Sequence, residues 1–226
     1  RVDETNYPHD LKKIKDRPEV LYYRGNIDIL NEHKSIAVVG SRKISAVGAK
    51  LAYNAGSIIG KNGFNLVNGL ALGCDAEALK GALAAGGKCA VVLPCGINEI
   101  YPKSNQWIAE EVLKQGGCLI SEYPEGTRPE KYRFVQRDRL QSGMSQGVLV
   151  VEAMEKSGTM HTAEYAKKQN RRLACYYHGL LKYSTGNNVL ENLYQAAVIK
   201  TNEDLENYLC EIADIEEYTQ LSFDFV

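Results

Sequence analysis

IAVVGSRKISAVGAKLAYNAGSIIGKNGFNLV, residues 36–67, contains a complete strand–helix–strand unit. The apolar run 36–39 is typical of a buried strand, residues 45–61 have the length and pattern of a helix, and residues 64–67 form a second apolar run. Gly63 falls between this helix and the second strand, where helices commonly end on a left-handed residue. Because two strands joined by one helix pair in parallel, this stretch predicts an α/β fold with a parallel sheet.

The same alternation continues along most of the chain. Further strands are predicted at 89–93, 118–121, 147–153 and 173–177, and further helices at 74–86, 105–115, 134–145 and 160–170. Gly86–Gly87 and Gly116–Gly117 again stand between a helix and the next strand. Near-continuous apolar strands separated by helices predict a doubly wound, mostly parallel sheet with helices on both faces, an extended Rossmann-like fold.

The flanking segments differ from this core. Residues 1–34 carry loop signals and predict an N-terminal arm packed on the core, whereas residues 35–200 form the Rossmann-like domain. Residues 187–210 suggest a short helix, a brief strand and an acidic helix. Residues 201–226 are therefore interpreted as an acidic C-terminal helix and tail.

Composition indicates an ordinary globular protein. The chain has 226 residues, of which 44% are hydrophobic and 24% charged, and no apolar run approaches the roughly 20 residues of a membrane span. No signal peptide opens the sequence, so we expect a cytoplasmic protein without a membrane partner. The six cysteines are scattered without metal-ligand spacing, which predicts buried reduced thiols and no metal site.

The net charge of −1 conceals an asymmetry between two parts of the chain. Residues 203–226 carry eight acidic groups and no lysine or arginine, so residues 1–202 hold 27 basic and 20 acidic groups. A basic body with an acidic tail suits an anionic ligand. The same numbers of acidic and basic residues would also be found if these groups lay on two solvated faces that bind no ligand.

Small and hydroxyl-bearing residues follow the predicted strands. In an open parallel sheet, ligands bind beyond the carboxyl ends of the strands, at helix N-termini. Backbone N–H groups, close approach and a fixed positive charge make an anion site there, although glycine and serine also make plain tight turns. The candidate residues are Gly40, Ser41, Arg42, Lys43, Asn68, Gly69, Ser157, Gly158, Thr159 and Thr162.

A second basic cluster lies around residues 128–139, and its members are Arg128, Lys131, Arg133, Arg137 and Arg139. Tyr132 and Phe134 are interleaved with it and offer stacking surfaces for bases. Arg137 and Arg139 are two residues apart, so on a helix they point in different directions. Lys103 could extend the same positive rim. The alternative is a solvated helix face.

Familiar nucleotide-binding and catalytic motifs do not fit. The first turn, GSRKISAVG, is not GxGxxG, and Asn68 rather than an acid ends the second strand, which disfavours NAD. GALAAGGKC (81–89) lacks the spacing and the hydroxyl of a phosphate-binding P-loop. The four histidines are far apart in sequence. We therefore expect no cofactor and no enzyme activity.

Seven segments, in order from about Tyr7 to Lys200, resemble the DprA/Smf DNA-processing family. They are YPHDLKKIKDRPEVLYYRGN, IAVVGSRKISAVG, NGLALGCDAEALKGAL, VVLPCGINEIYPKSN, GCLISEYPEGTRP, FVQRDRLQSGMSQGVLVVEAMEKSGTMHTAEYAKKQNR and TGNNVLENLYQAAVI. The resemblance implies a protein that binds single-stranded DNA as a homodimer, protects it, and loads a RecA-type recombinase in natural transformation, with no chemical step.

Carried over by position, the resemblance also assigns residues. Gly40, Ser41 and Arg42 would form part of a phosphate pocket, and Ser157, Gly158 and Thr162 its last loop. Lys103, Arg137 and Arg139 would contact the DNA backbone.

The sequence departs from the family pattern at two positions. Leu79 stands where the family usually has histidine, and Asp138 where it usually has asparagine between two arginines. By the resemblance, Asp138 would place a negative charge where backbone phosphate passes.

The sequence is also compatible with two other functions. One is a nucleotide-binding enzyme or sensor of the related lysine decarboxylase-like or phosphoribohydrolase-like Rossmann group, for which the 157–164 loop is loosely suited. The other is a protein-interaction module, in which the acidic 203–226 segment docks over a basic face. In a DNA-binding protein that segment could also be autoinhibitory.

Overall fold

A computed structural model describes the backbone of residues 1–223 and the side chains of residues 1–214. The strands are β1 (Tyr22–Gly25), β2 (Ser35–Val39), β3 (Asn65–Asn68), β4 (Cys89–Val92), β5 (Cys118–Ser121), β6 (Gly147–Val150), β7 (Arg172–Tyr176) and β8 (Ala197–Ile199). The helices are α1 (His9–Lys12), α2 (Ile29–Glu32), α3 (Ala46–Lys61), α4 (Cys74–Ala84), α5 (Gln106–Lys114), α6 (Lys131–Gly143), α7 (Thr159–Lys168), α8 (Thr185–Leu193) and α9 (Asn202–Phe223).

The strands form an eight-stranded sheet in the order β1-β5-β4-β3-β2-β6-β7-β8. Every neighbouring pair is parallel except β1 and β5, which are antiparallel. From β2 the chain builds outward through β3, β4 and β5, and then returns to place β6 on the other side of β2. The predicted doubly wound, mostly parallel fold is confirmed, and its switch point lies between β2 and β6.

Helices cover both faces of the sheet because successive strand residues point to opposite sides. In β2, Ile36 and Val38 belong to a core shared with α3, α4, α5 and α9. Ala37 and Val39 belong to a second core shared with α1, α2, α6, α7 and α8. All four of these side chains are 4% exposed or less, so β2 is buried on both faces, and its sequence is therefore a continuous apolar run.

The N-terminal arm packs on the second core through Tyr7, Leu11 and Ile14. It also supplies β1, which the sequence did not predict. Three of the four β1 residues are exposed, so this edge strand lacks the apolar pattern that reveals the others.

Helix α9 crosses the first core towards the amino ends of the strands. Leu205 and Ile212 are buried, and the Tyr208 hydroxyl donates to the Arg172 carbonyl at the start of β7. The described side chains of the acidic segment therefore reach the sheet edge opposite the carboxyl ends of the strands. The rest of that segment, from residue 215, lies outside the described side chains, and the autoinhibition hypothesis stays a prediction. Within residues 1–223, no helix is both long and apolar enough to cross a membrane.

Candidate functional site

A cleft of about 1060 Å³ opens at the switch point between β2 and β6. Its walls come from the turn after β2, the start of α4, one face of α6, and the loop that joins β6 to α7. Nine of the predicted site residues line it: Gly40, Ser41, Arg42, Lys43, Arg137, Ser157, Gly158, Thr159 and Thr162. Segments far apart in sequence therefore meet at one place.

The four remaining predicted residues do not line the cleft, although one of them, Gly69, lies directly against the Arg137 guanidinium. Asn68 is fully buried, and its side chain accepts from the Leu70 N–H and donates to the Asp75 carbonyl. Lys103 is exposed on the turn before α5. Arg139 points towards the N-terminal arm. The structure therefore does not bring Asn68, Lys103 and Arg139 into this cleft.

Hydrogen bonds fix the turn that follows β2. The Ser41 N–H donates to the Glu152 carbonyl (2.7 Å), and the Ser41 carbonyl accepts from the Cys74 N–H at the start of α4 (3.1 Å). A Cβ on Gly40 would lie 2.7 Å from Cys74 Sγ, so only glycine fits this close approach. The turn is thus held in place before any ligand arrives.

Glu152, just beyond β6, ties two walls together. Its carboxylate is fully buried, and it accepts from the Ser45 N–H (2.7 Å) and the Tyr183 N–H (3.1 Å). Ser45 caps α3 by accepting from the Gly48 N–H. Glu152 therefore anchors the start of α3 to the 177–184 segment, a function that no sequence motif reveals.

Aromatic side chains form one wall of the cleft. The Arg42 guanidinium lies 5.0 Å from the centre of the Phe134 ring, and Tyr101 packs edge-on against Phe134 at 5.4 Å. Tyr101 is 44% exposed. This wall presents a cation and ring faces side by side, which suits a phosphate next to an unstacked base.

The loop between β3 and α4 is organised by Asp75. The Asp75 carboxylate accepts from the N–H groups of Gly69 (3.0 Å) and Ala71 (3.2 Å). Leu70 adopts a positive φ of 58°, and its carbonyl accepts from the Asn105 side chain. The loop is consequently rigid where it supports the floor of the cleft.

Arg137 is a buried cation at this floor. It is 3% exposed, and its Nε lies 3.5 Å from Asp138 Oδ1. A Cβ on Gly69 would lie 1.1 Å from Arg137 Nη1, so the guanidinium occupies the space that the glycine leaves free. Within the part of the chain that the structure describes, Nε and Nη1 have no hydrogen-bond partner. An unsatisfied buried donor costs about 1–3 kcal/mol, more for a charged group, and an anion in the cleft would relieve that cost.

Two buried carboxyl groups flank this arginine. Burial raises the pKa of the Asp75 carboxyl, and the Arg137 charge opposes the shift without cancelling it. Burial likewise raises the pKa of Asp138 to about 6, although Arg137 favours its ionised form. The floor of the cleft therefore combines one guanidinium with two acids that resist ionisation.

The amino end of α7 forms the opposite side of the cleft. Ser157 turns its hydroxyl to the Met154 carbonyl (2.6 Å), and the helix begins at Thr159. Thr159 and Thr162 lie within its first turn and line the cleft. The helix N-terminus carries partial positive charge and favours an anion there.

Arg139 has a different environment from Arg137. Its Nη1 and Nη2 donate to the two carboxylate oxygens of Glu122 at 2.9 and 2.6 Å, and its Nε donates to the Asp16 carbonyl at 3.0 Å. Arg139 and Glu122 are 13% and 12% exposed. Arg139 thus fastens α6 to the end of β5 and to the N-terminal arm.

Replacing Arg139 with glutamine should lower the free energy of unfolding by about 3 kcal/mol, because Glu122 would keep a largely buried charge without its partner. Thermal and urea unfolding measure this loss. Arg128→Gln is the control, since Arg128 is exposed and its loss should cost under about 0.5 kcal/mol. Equal stability of the two variants would contradict a structural function for Arg139.

The fold and the cleft define the class: a Rossmann-like α/β protein with a basic cleft at the switch point of its sheet. The sequence model of one family, DNA recombination-mediator protein A, matches residues 1–209. The chain belongs to the DNA recombination-mediator protein A family.

Relatives and solved structures agree with this assignment. DNA processing protein DprA of Bacillus subtilis is 36% identical over 172 residues, and that of Streptococcus pneumoniae is 39% identical over 165 residues. These alignments cover 76% and 73% of this chain but 58% and 57% of the relatives, so the chain spans little more than half their length. The structure of DNA processing protein A from Helicobacter pylori, described for its single-stranded DNA binding mode, superposes with a TM-score of 0.83 and 30% identity. It covers 92% of this chain and 94% of that one.

Proposed function

We propose that the cleft binds the backbone of single-stranded DNA without carrying out a chemical step. The observation that carries this proposal is the buried Arg137 guanidinium, whose Nε and Nη1 lack hydrogen-bond partners among the described residues. Arg42, Lys43 and the first turn of α7 converge on the same cleft. Phosphate oxygens are the acceptors that such a set of donors fits.

The aromatic wall favours single strands over duplex. Tyr101 and Phe134 stand beside Arg42, so a base can stack on them while its phosphate meets the cations. Bases in a duplex are already stacked on one another and cannot use this wall. The single-stranded DNA binding mode described for the H. pylori relative supports the same ligand.

Binding rather than catalysis fits the acids of the cleft. Asp75 is engaged by two backbone N–H groups, and Asp138 accepts from the Gln141 amide (2.9 Å). Glu164, the acid of the α7 turn, does not line the cleft and lies 3.9 Å from His161. Both acids of the floor thus have structural partners.

In the proposed function, the protein is cytoplasmic and acts as a homodimer. It protects incoming single-stranded DNA and loads a RecA-type recombinase on it during natural transformation. Membership in a family of recombination mediators supports this context. Pull-down of the recombinase with and without oligonucleotide, together with light scattering, tests the recombinase contact and the dimer.

Arg42→Ala should weaken the binding of a labelled oligo(dT) by about tenfold to thirtyfold, because one charge-assisted phosphate contact is lost. The log–log slope of affinity against salt should also become shallower by about 0.7, the contribution of one neutralised phosphate. Fluorescence anisotropy over a range of salt concentrations measures both quantities. Lys61→Ala is the control, since Lys61 is exposed at the far end of α3. A loss of the same size in both variants would contradict a specific contact at Arg42.

A further inference from the structure

Asp138 is an acid built into the floor of a cleft that otherwise attracts anions. It is 9% exposed, lines the cleft, and its Oδ1 lies 3.5 Å from Arg137 Nε. The same oxygen accepts from Gln141 Nε2 at 2.9 Å. An anion that approaches Arg137 therefore also approaches this carboxyl group.

The charged and titratable groups that face Asp138 come from four elements. They are Arg137 on α6, Asp75 on α4, His161 and Tyr165 on α7, and Arg42 on the turn after β2. Asp75 and Asp138 are both buried beside one buried guanidinium, so ionisation of both leaves an excess negative charge at the floor. Burial and this neighbouring acid raise the pKa of Asp138 to about 6.

We propose that phosphate binding in this cleft is coupled to a proton: the anion binds as Asp138 takes up one proton from solvent, so that affinity rises as the pH falls. The inference rests on the proposed function of the cleft. The proton adds to a carboxylate oxygen of Asp138, and no covalent bond to the ligand forms. A protonated Asp138 removes the repulsion and leaves Arg137 free to pair with phosphate.

The direction of the effect follows from linkage. A bound phosphate disfavours the ionised carboxylate, so the pKa of Asp138 is higher in the complex than the value of about 6 in the free protein. Affinity therefore changes between pH 6 and the higher pKa of the complex, by at most about tenfold per pH unit for one proton. Below pH 6 the Asp138 carboxyl is protonated in both the free protein and the complex, so the affinity no longer increases as the pH falls.

His161 is the competing source of pH dependence. It lines the same cleft, and an imidazole gains positive charge on protonation, which would also strengthen phosphate binding at low pH. Separate substitutions distinguish the two groups.

The test measures oligo(dT) affinity by anisotropy from pH 5.5 to 8.5 at constant ionic strength for the parent protein, Asp138→Asn and His161→Asn. We expect the parent to bind about tenfold more tightly at pH 6 than at pH 8. Asp138→Asn, which keeps an acceptor for Gln141, should match the parent near pH 6, exceed it near pH 8, and vary by less than about twofold. His161→Asn should keep the parent's slope, whatever its absolute affinity.

Calorimetry in buffers of different ionisation enthalpy gives a second measurement, the number of protons taken up on binding at pH 7. The parent should take up a fraction of a proton and Asp138→Asn none. If Asp138→Asn keeps the parent's full dependence of affinity on pH, or if His161→Asn loses it, the proton coupling is wrong, although the proposed DNA binding still stands. Failure of the parent to bind oligo(dT) at any pH would overturn the proposed function and this inference together.

Discussion

Gly69→Ala should weaken the binding of single-stranded DNA by about a hundredfold, the equivalent of about 2.7 kcal/mol. A Cβ at this position would lie 1.1 Å from Arg137 Nη1 and 2.1 Å from its Cζ. The guanidinium must therefore leave the floor of the cleft, and its charge-assisted contacts with phosphate are lost. Anisotropy with a labelled oligo(dT) at fixed salt measures the change.

Gly63→Ala is the matched control for this substitution. Gly63 has a positive φ of 76°, so alanine costs stability there, but no atom of the described residues lies within 4 Å of the added Cβ. The residue follows α3 at the edge of the sheet opposite the cleft. We expect lower stability with unchanged DNA affinity, and a Gly69→Ala protein that binds as tightly as this control would contradict the placement of Arg137.

Gly81→Ala should lower the free energy of unfolding by about 3 kcal/mol or more, a fall of roughly 6–12 °C in Tm. Helices α3 and α4 approach so closely that a Cβ on Gly81 would lie 1.8 Å from the Tyr53 carbonyl oxygen. That oxygen belongs to the backbone of α3, so the helices must separate to make room. Calorimetry and urea unfolding measure the loss.

Gly158→Ala is the control for stability, because φ at Gly158 is −59° and, among the residues that the structure describes, no atom lies within 4 Å of the added Cβ. This change should alter the free energy of unfolding by less than about 0.5 kcal/mol. Equal Tm values for Gly81→Ala and Gly158→Ala would contradict this prediction, because they would show that α3 and α4 can separate at little cost.

The sheet could be predicted from the sequence because its central strands are buried on both faces. Each such strand is a short apolar run, and the glycines predicted to end α3, α4 and α5 have positive φ values of 76°, 74° and 78° at Gly63, Gly86 and Gly116. Strand β1 was not predicted because it is an edge strand whose side chains are mostly exposed, so it lacks an apolar pattern. Its pairing with β5 depends on a tertiary contact that local pattern does not encode.

The site could be predicted only where it follows the ends of strands. The turn after β2 and the loop before α7 line the cleft, as the Rossmann-like topology requires. Arg137 and Arg139, by contrast, are two residues apart on α6 and point to different surroundings, and no local pattern shows which one faces the cleft. The Glu152 carboxylate accepts from backbone N–H groups of two segments distant in sequence, and the Asp75 carboxylate accepts from N–H groups of its own loop, so neither function shows in the local sequence pattern.

Single-stranded DNA is proposed to lie in the cleft between β2 and β6, and photo-crosslinking locates the DNA directly. An oligo(dT) carrying 5-iodouracil is bound, irradiated and digested, and mass spectrometry identifies the attached residues. We expect crosslinks at Tyr101 and Phe134, the rings beside Arg42. Crosslinks confined to Tyr194, in the pocket that it lines with Arg171 and Arg172 at the start of β7, with none in the cleft, would contradict this placement of the DNA.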